Sequence, residues 1–188
     1  MEKRNFNTYT ESESAAFWRE VCLKEGSLRH YERDDYFFRE GEVARYMGLI
    51  RSGTLKYTAY SRDGRESVLG LVFAGELVAD FPFSIHGVKA RTSVVATAPC
   101  DIVCIPVSPL AERLVSDRMM MTAMYEATEA VFSTVYDRYK DLYTKSPQER
   151  YDDLINSHPD LFELFSLRDI AAFLNITPTH LSRLRKNI

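Results

Sequence analysis

The stretch of residues 166–186 carries the pattern that most constrains how this chain can fold. Its first apolar residues recur at helical spacing up to Leu174, which predicts a short helix with one apolar face. Asn175 follows, and asparagine is one of the few residues that tolerate the left-handed backbone conformation of a sharp turn. Thr177 is a good N-cap for a second helix, and Pro178 stands at its first position, where a missing N–H does no harm.

This second helix is predicted to have one apolar and one polar face. Leu181 and Leu184 supply the apolar face, and Ala171 of the first helix is small where two crossing helices would touch. The polar face offers groups that can bind phosphates or base edges, namely Thr177, Thr179, His180, Ser182, Arg183, Arg185 and Lys186. The arrangement is typical of a helix-turn-helix, whose second helix reads the major groove of DNA. An ordinary helical hairpin is the alternative.

The local charge favours the DNA-binding interpretation. Residues 167–188 contain four basic side chains and one acidic side chain, whereas the whole chain carries a net charge of −3. The basic excess is therefore concentrated at the predicted reading helix, as a phosphate-binding surface requires.

Bulk composition is that of an ordinary globular protein, with 45% hydrophobic and 27% charged residues among 188. No apolar run approaches the ~20 residues that span a bilayer, and the polar N-terminus has no apolar signal core. We therefore expect a cytoplasmic protein with no membrane partner. Cys22, Cys100 and Cys104 lack the paired spacing of a disulfide scaffold and are too few for a typical iron–sulfur cluster. Cys100 and Cys104 are expected to be core residues.

The middle of the chain is predicted to consist of antiparallel β-strands. Over residues 28–107, short runs rich in Val, Ile, Tyr, Phe and Thr alternate with turn signals about every ten residues, which is typical of a sandwich or barrel. The Ser-Arg-Asp-Gly sequence at 61–64 predicts a hairpin. A helix capped by Ser12 or Ser14 and ended by Gly26 precedes the strands.

Helical patterns return with a short helix at 108–115 and a long helix over 117–145. The long helix has an apolar stripe at three-to-four-residue spacing, formed by Met120 or Met121, Met124, Ala127, Val131, Thr134 or Val135, and Leu142. Such a sustained stripe suggests a seam with another long helix. Because the chain has no other helix of that length, we expect the same helix of a second copy, and hence a two-fold homodimer. Packing of this helix on its own sandwich is the alternative.

The predicted fold is therefore α+β, with two domains. Residues 1–145 form an antiparallel β-sandwich or jelly-roll barrel with flanking helices and the long dimerisation helix. Residues 146–188 form a small helical DNA-binding domain, because Ser146-Pro147 interrupts the helical pattern. A two-fold dimer would place two reading helices about one DNA turn apart, which suits a palindromic site.

Several motifs, each weak by itself, are specific in their order and spacing. They are Arg39-Glu40-Gly41, the Gly-Leu-Ile-Arg-Ser-Gly run at 48–53, Asp63-Gly64-Arg65-Glu66, the Phe-Ala-Gly-Glu-Leu-Val run at 73–78 and the terminal helix pair. In these the chain resembles the Crp/Fnr-type transcriptional regulators, in which a cyclic-nucleotide-binding-like domain precedes a helix-turn-helix. The C-terminal part is similar to a compact branch of that family, for which we expect no full wing.

The resemblance implies an effector pocket in the β-barrel. In cyclic-AMP-binding members, a Gly-Glu-Leu segment presents backbone amides to the phosphate and a carboxylate to the ribose, and an Arg-Ser or Arg-Thr pair neutralises the phosphate. By position the matching residues are Gly75, Glu76, Leu77, Arg91 and Thr92. Arg91 is equally compatible with a solvated strand residue, and the loop before it carries an aromatic insertion at 80–83. A cyclic nucleotide, a different small molecule and no effector at all are the alternatives.

For DNA contact, the resemblance carries over Pro178, Thr179 and Arg183. Arg183 matches the family's arginine, whose commonest specific partner is guanine, whereas Arg185 and Lys186 would contact phosphates. The predicted function is a homodimeric, sequence-specific transcriptional regulator that binds double-stranded DNA, with RNA polymerase as a further candidate partner. The alternative is a ligand-sensing module whose helical tail binds a protein.

An enzyme is not predicted. The β-region has no nucleophile–base pair, and the four histidines (His30, His86, His158 and His180) are scattered. We therefore expect no metal, and a cyclic nucleotide is a candidate effector rather than an established one.

Overall fold

The computed structural model describes residues 7–80 and 83–186. Its strands are β1 (Ser27–Tyr31), β2 (Tyr36–Phe38), β3 (Tyr46–Ser52), β4 (Leu55–Tyr60), β5 (Glu66–Val72), β6 (Leu77–Val78), β7 (Ser93–Ala96) and β8 (Cys100–Pro106). Its helices are α1 (Glu13–Glu25), α2 (Val107–Ser116), α3 (Arg118–Thr144), α4 (Pro147–Ser157), α5 (Leu161–Leu164), α6 (Leu167–Phe173) and α7 (Pro178–Lys186). In this part of the chain the strands form two antiparallel sheets, ordered β1-β8-β3-β6 and β2-β7-β4-β5. The predicted α+β fold with an antiparallel sandwich and a long helix is confirmed.

The helices begin and end at the local signals read from the sequence. The Ser12 hydroxyl accepts a hydrogen bond from the Ala15 N–H at 3.1 Å, and α1 ends at Glu25, with Gly26 as its C-cap. The Asp117 carboxylate accepts from the Met119 and Met120 N–H groups in the first turn of α3 at 3.0 Å, and Ser146 forms a capping box with Glu149 at the start of α4. These side chains satisfy N–H groups that a helix leaves without partners at its N-terminus.

The two sheets enclose a core of aliphatic and aromatic side chains that includes Phe37, Ile50, Leu55 and Ile102. Cys100 and Cys104 are buried here as free thiols, which confirms their prediction as core residues. A second cluster packs α1, α2 and the first half of α3 against the outer face of β3 and β8. These two clusters make the sandwich and its flanking helices one packed unit.

A third cluster joins the C-terminal helices to the sheet. Residues from α4 to α7 pack on Val68, Leu71 and Phe73. A one-residue bulge in β5 makes this possible: Tyr57 pairs with Gly70, Thr58 pairs with Val68, and the residue between them has no partner. Because side chains alternate along a strand, the extra residue turns Val68 to the same face as Leu71 and Phe73.

The boundary expected near residue 145 coincides with the break between α3 and α4. The helices after this break pack on the sheet as well as on one another, because three side chains in or next to β5 belong to their core. The division into domains 1–145 and 146–188 therefore stays a prediction.

Candidate DNA-binding and effector sites

The helix-turn-helix has the local geometry that the sequence predicts. Asn175 adopts a left-handed conformation with φ of 55°, and the Ile176 N–H donates to the Ala171 carbonyl at 3.0 Å. The Thr177 hydroxyl accepts from the His180 N–H at 3.2 Å, and α7 begins at Pro178. Ala171, Leu181 and Leu184 are buried at the crossing of the two helices. The predicted turn, cap and inner face are confirmed.

The candidate DNA-contacting side chains lie on the outer face of α7 and at its start. Six of them are exposed and His180 is half-buried; the exposed ones are Thr177, Thr179, Ser182, Arg183, Arg185 and Lys186. The Ser182 hydroxyl donates to the Pro178 carbonyl at 3.0 Å, and the Arg185 guanidinium lies 4.2 Å from the centre of the Phe162 ring. Within the described part of the chain, Arg183 and Lys186 form no hydrogen bond or ion pair. These two side chains are therefore available to a partner.

Glu76 is engaged by the protein itself. Its buried carboxylate accepts hydrogen bonds from the Asn7 side-chain amide at 2.7 Å and from the Phe73 N–H at 3.1 Å. Gly75 has a positive φ of 87°, and its carbonyl accepts from the Arg19 guanidinium at 2.9 Å. Leu77 then opens β6 and pairs with Leu49 of β3. Gly75 and Glu76 thus hold Arg19 of α1 and Asn7 on the sandwich, and Leu77 is part of the sheet.

A different carboxylate, Asp80, lies close to Arg91. Asp80 is 7% exposed; burial raises the pKa of its carboxyl group, and the Arg91 charge opposes that rise. The Asp80 Oδ2 atom is buried without a hydrogen-bond partner among the described residues. Arg91 is exposed and its guanidinium stacks 4.6 Å from the centre of the Phe83 ring, while Thr92 is half-buried just before β7.

Sequence reasoning missed Asp80 because it treated residues 80–83 as an insertion. The available signal was an acidic residue immediately after an apolar strand and upstream of an arginine. Tyr57 contacts the residue before Asp80, because its hydroxyl donates to the Ala79 carbonyl at 2.8 Å. Burial raises the pKa of Tyr57 to about 12, so the phenol stays protonated and keeps this bond near neutral pH.

The predicted dimer stripe on α3 requires a correction. Met120 and Met124 are 1% and 4% exposed, because they pack against α1 and the sandwich of their own chain. Ala127 and Val131 are half-buried, and only Val135 is largely exposed, at 55%. The alternative reading, packing on the chain's own sandwich, therefore applies to the first half of the stripe.

A second apolar stripe, rotated by one residue, faces outward from α3. Its members follow alternating steps of four and three residues: Met121, Tyr125, Thr128, Phe132, Val135, Tyr139 and Leu142. All are exposed except Thr128, which is half-buried. We call these seven residues the outer seam. Steps of four and three are the spacing of a coiled-coil seam.

Comparisons with known proteins identify the fold. Residues 28–117 match the family model of the cyclic nucleotide-binding domain. FixK2 from Bradyrhizobium japonicum superposes with a TM-score of 0.73 at 19% identity, covering 86% of this chain and 83% of that chain. The c-di-GMP-responsive global regulator CLP from Xanthomonas campestris has a TM-score of 0.66 at 18% identity, covering 92% and 90%. A CRP-family transcriptional regulator from Thermus thermophilus has a TM-score of 0.64 at 14% identity, covering 85% and 83%.

A comparison with curated proteins found no match. The solved structures share the fold expected from the resemblance, so that fold is confirmed. The matched domain is a ligand-binding domain, in agreement with the expectation that the chain is not an enzyme. None of the helices in the described ranges is both long and apolar enough to cross a membrane.

Proposed function

We propose that this chain is a homodimeric transcriptional regulator that binds double-stranded DNA sequence-specifically. In the Crp/Fnr-type fold, a cyclic nucleotide-binding domain is joined to a helix-turn-helix. The observation that carries the proposal is the outer face of α7, where Arg183 and Lys186 are exposed and the inner leucines are buried. A helix held in this way presents cations to a groove without losing its own packing.

DNA binding is tested with duplexes selected by the intact chain from a random library. Arg183→Ala is expected to weaken the selected site about tenfold to a hundredfold and to have little effect on random duplex, because a bidentate arginine–guanine contact discriminates between bases. Lys186→Ala is expected to weaken both duplexes alike and to reduce the salt dependence by about one counterion.

Arg51→Ala is the matched control, since Arg51 is an exposed arginine on β3, away from α7. Loss of selectivity in Arg183→Ala with no change in Arg51→Ala supports the proposal. Unchanged affinity for the selected site in Arg183→Ala refutes the assignment of α7. Failure of the intact chain to retain any duplex at low salt favours the alternative, a helical tail that binds protein.

The outer seam supports a homodimer. Large apolar side chains such as Phe132 (68% exposed) and Tyr139 (59% exposed) share one face along most of α3. Burying such a stripe against its two-fold mate removes apolar surface from water, which stabilises a parallel helix pair. Phe132→Glu is expected to shift sedimentation velocity from dimer to monomer, whereas Val88→Glu, at an exposed apolar site outside the helices, is not. A dimer that persists in Phe132→Glu contradicts the use of this seam.

We further propose that Asp80 and Arg91 take part in binding a small anionic effector. A buried carboxylate oxygen without a partner can accept from a ligand hydroxyl, and the nearby guanidinium can pair with a phosphate. Calorimetric titration with cyclic AMP, cyclic GMP and cyclic di-GMP tests this, with Arg91→Gln as the variant. Binding that Arg91→Gln weakens at least about tenfold supports the site. Binding that is equal in both proteins, or absent for all three, refutes a cyclic-nucleotide effector at these residues.

A further inference from the structure

A cavity of about 290 Å³ lies where the C-terminal helices meet β5 and the long helix. Its walls come from β5, α3, α4, α6 and the turn after α6, and most of them are aliphatic or aromatic. They include Val68, Leu142, Leu154 and Phe173. Neither Asp80 nor Arg91 lines this cavity, so it is separate from the effector site proposed above.

Two arginines give the cavity a cationic side. Arg150 of α4 donates from its terminal nitrogens to the Lys145 carbonyl at 2.6 Å and the Leu174 carbonyl at 3.1 Å. Its Nε atom is buried and has no hydrogen-bond partner within the described ranges. Arg138 of α3 also lines the cavity, and it contacts the Asn7 side chain. Burial lowers the pKa of Arg138 from its ordinary value, and the nearby Tyr9 and Glu76 oppose that shift.

The acidic side chains at the cavity are already compensated. Asp141 and Asp153 line it, but the Lys145 ammonium lies 2.8 Å from a carboxylate oxygen of each. The charge of Arg138 interacts with the buried Glu76 carboxylate. Arg150, by contrast, forms no ion pair within the described ranges and donates only to backbone carbonyls, so its positive charge lies beside an apolar space without a carboxylate partner. An anion that enters this space replaces lost solvation of the Arg150 guanidinium, which favours an acidic ligand over a neutral one.

We propose that this cavity binds an organic carboxylate with an apolar or aromatic tail. The carboxylate lies at the Arg150 side, and the tail lies between Val68 of β5 and Leu154 of α4. The volume is close to the lower end of the range of small-molecule pockets, so the ligand is compact.

The position of the cavity implies a consequence for the helix-turn-helix. Its walls belong both to the sheet and to α6, so a bound acid stabilises the arrangement in which α6 packs on β5. By linkage, a ligand that binds only this arrangement raises its population and slows its opening. Amide hydrogen exchange in α6 and β5 is therefore expected to slow when the acid is added.

The test is calorimetric titration of the intact chain with 4-phenylbutyrate and with its neutral analogue 4-phenylbutyramide. The acid is expected to bind at least about tenfold more tightly than the amide, as a hydrogen bond to a charged group implies. Ala172→Leu fills the cavity without changing its charge, because Ala172 is a half-buried lining residue, and it is expected to weaken the acid at least about tenfold. Arg51→Gln, away from the cavity, is expected to bind like the unchanged protein.

Thermal unfolding of each variant checks that it is folded. If Ala172→Leu does not fold, Ser67→Leu replaces it, because Ser67 is another half-buried residue that lines the cavity from β5. Absence of saturable binding, equal affinity for acid and amide, or undiminished binding in the folded cavity-filling variant overturns the inference. Binding that is lost in Arg91→Gln but kept in Ala172→Leu assigns the acid to the other site, which overturns the inference and leaves the proposed function intact.

Discussion

Lys56 is the buried cation that ties the helix-turn-helix to the sheet. Its ammonium nitrogen lies 2.6 Å from Asp169 Oδ1 of α6 and 2.9 Å from Glu66 Oε1 of β5. The three side chains are only 12–13% exposed. Lys56→Met keeps most of the side-chain volume and removes the charge. It leaves Asp169 without its cation and leaves Glu66 with only the exposed Arg168, 3.9 Å away.

The expected loss follows from that burial. Removing one partner of a buried ion pair destabilises a protein by about 3–5 kcal/mol, because the remaining charge is uncompensated. Water still reaches these carboxylates to a small extent, so we expect Lys56→Met to lower the free energy of unfolding by about 2–4 kcal/mol. Replacing Asp169 as well, in Lys56→Met/Asp169→Asn, removes one stranded charge and is expected to restore at least about 1 kcal/mol.

Burial lowers the pKa of Lys56, but its hydrogen bonds to Asp169 and Glu66 raise it by more, and the net shift is upward. A raised pKa in the folded state means that the stabilisation is complete below the pKa of the unfolded lysine and is lost as pH rises through the folded value. The loss in Lys56→Met is therefore expected to be constant near neutral pH and to shrink only in strong alkali.

Equilibrium unfolding in urea measures these losses, and hydrogen exchange shows whether α6 opens first. Lys140→Met is the control, because Lys140 pairs with Asp137 on the exposed surface of α3, where water screens the two charges and the pair contributes little to stability. A loss in Lys56→Met no larger than that in Lys140→Met, or no recovery in the double variant, refutes the reasoning.

Three further predictions concern single residues. Burial lowers the pKa of His158, whose ring stacks on Phe73 with centroids 4.0 Å apart. The unfolded state therefore takes up the proton first, so the free energy of unfolding falls as pH drops below about 6.5. Urea unfolding at several pH values should show that His158→Phe flattens this part of the profile. An unchanged slope contradicts this prediction. Gly53 and Gly64 have φ of 82° and 79°, but only at Gly53 would a Cβ clash with a backbone atom, the carbonyl oxygen of Pro99. Calorimetry should show a loss of about 1 kcal/mol for Gly64→Ala and at least about 2 kcal/mol for Gly53→Ala, whereas equal losses argue against the clash. At Asn175, with φ of 55°, substitution by Gly should be nearly neutral in thermal unfolding and substitution by Val should destabilise by about 1–2 kcal/mol; the reverse order excludes turn strain.

The outer seam shows where pattern reasoning reaches its limit. Two apolar stripes run along α3 one residue apart, and each has helical spacing. The stripe that begins at Met120 packs inward at its first half, and the stripe that begins at Met121 faces out. Periodicity reveals that a face is apolar, but the identity of its partner depends on where the sandwich places α1 and β8.

Glu76 and Asp80 illustrate the same limit in the effector region. Both are acidic residues close to β6, so their positions in the sequence do not distinguish them, and both are buried in the structure. Glu76 binds the side chain of Asn7, which is distant in sequence, whereas Asp80 lies near Arg91. The two carboxylates differ only in their partners, and the tertiary fold brings those partners to them from distant parts of the sequence.

The sequence alone determined the helix-turn-helix, because its cap at Thr177, its left-handed turn at Asn175 and its apolar spacing act between neighbouring residues. It also determined the ends of α1 and α3 for the same reason. The tertiary structure decided where this motif rests. The bulge in β5 turns Val68 outward beside Leu71, and the apolar surface so formed completes the core of the C-terminal helices. Strand register depends on pairing between distant segments, so that surface exists only once the sheet has formed.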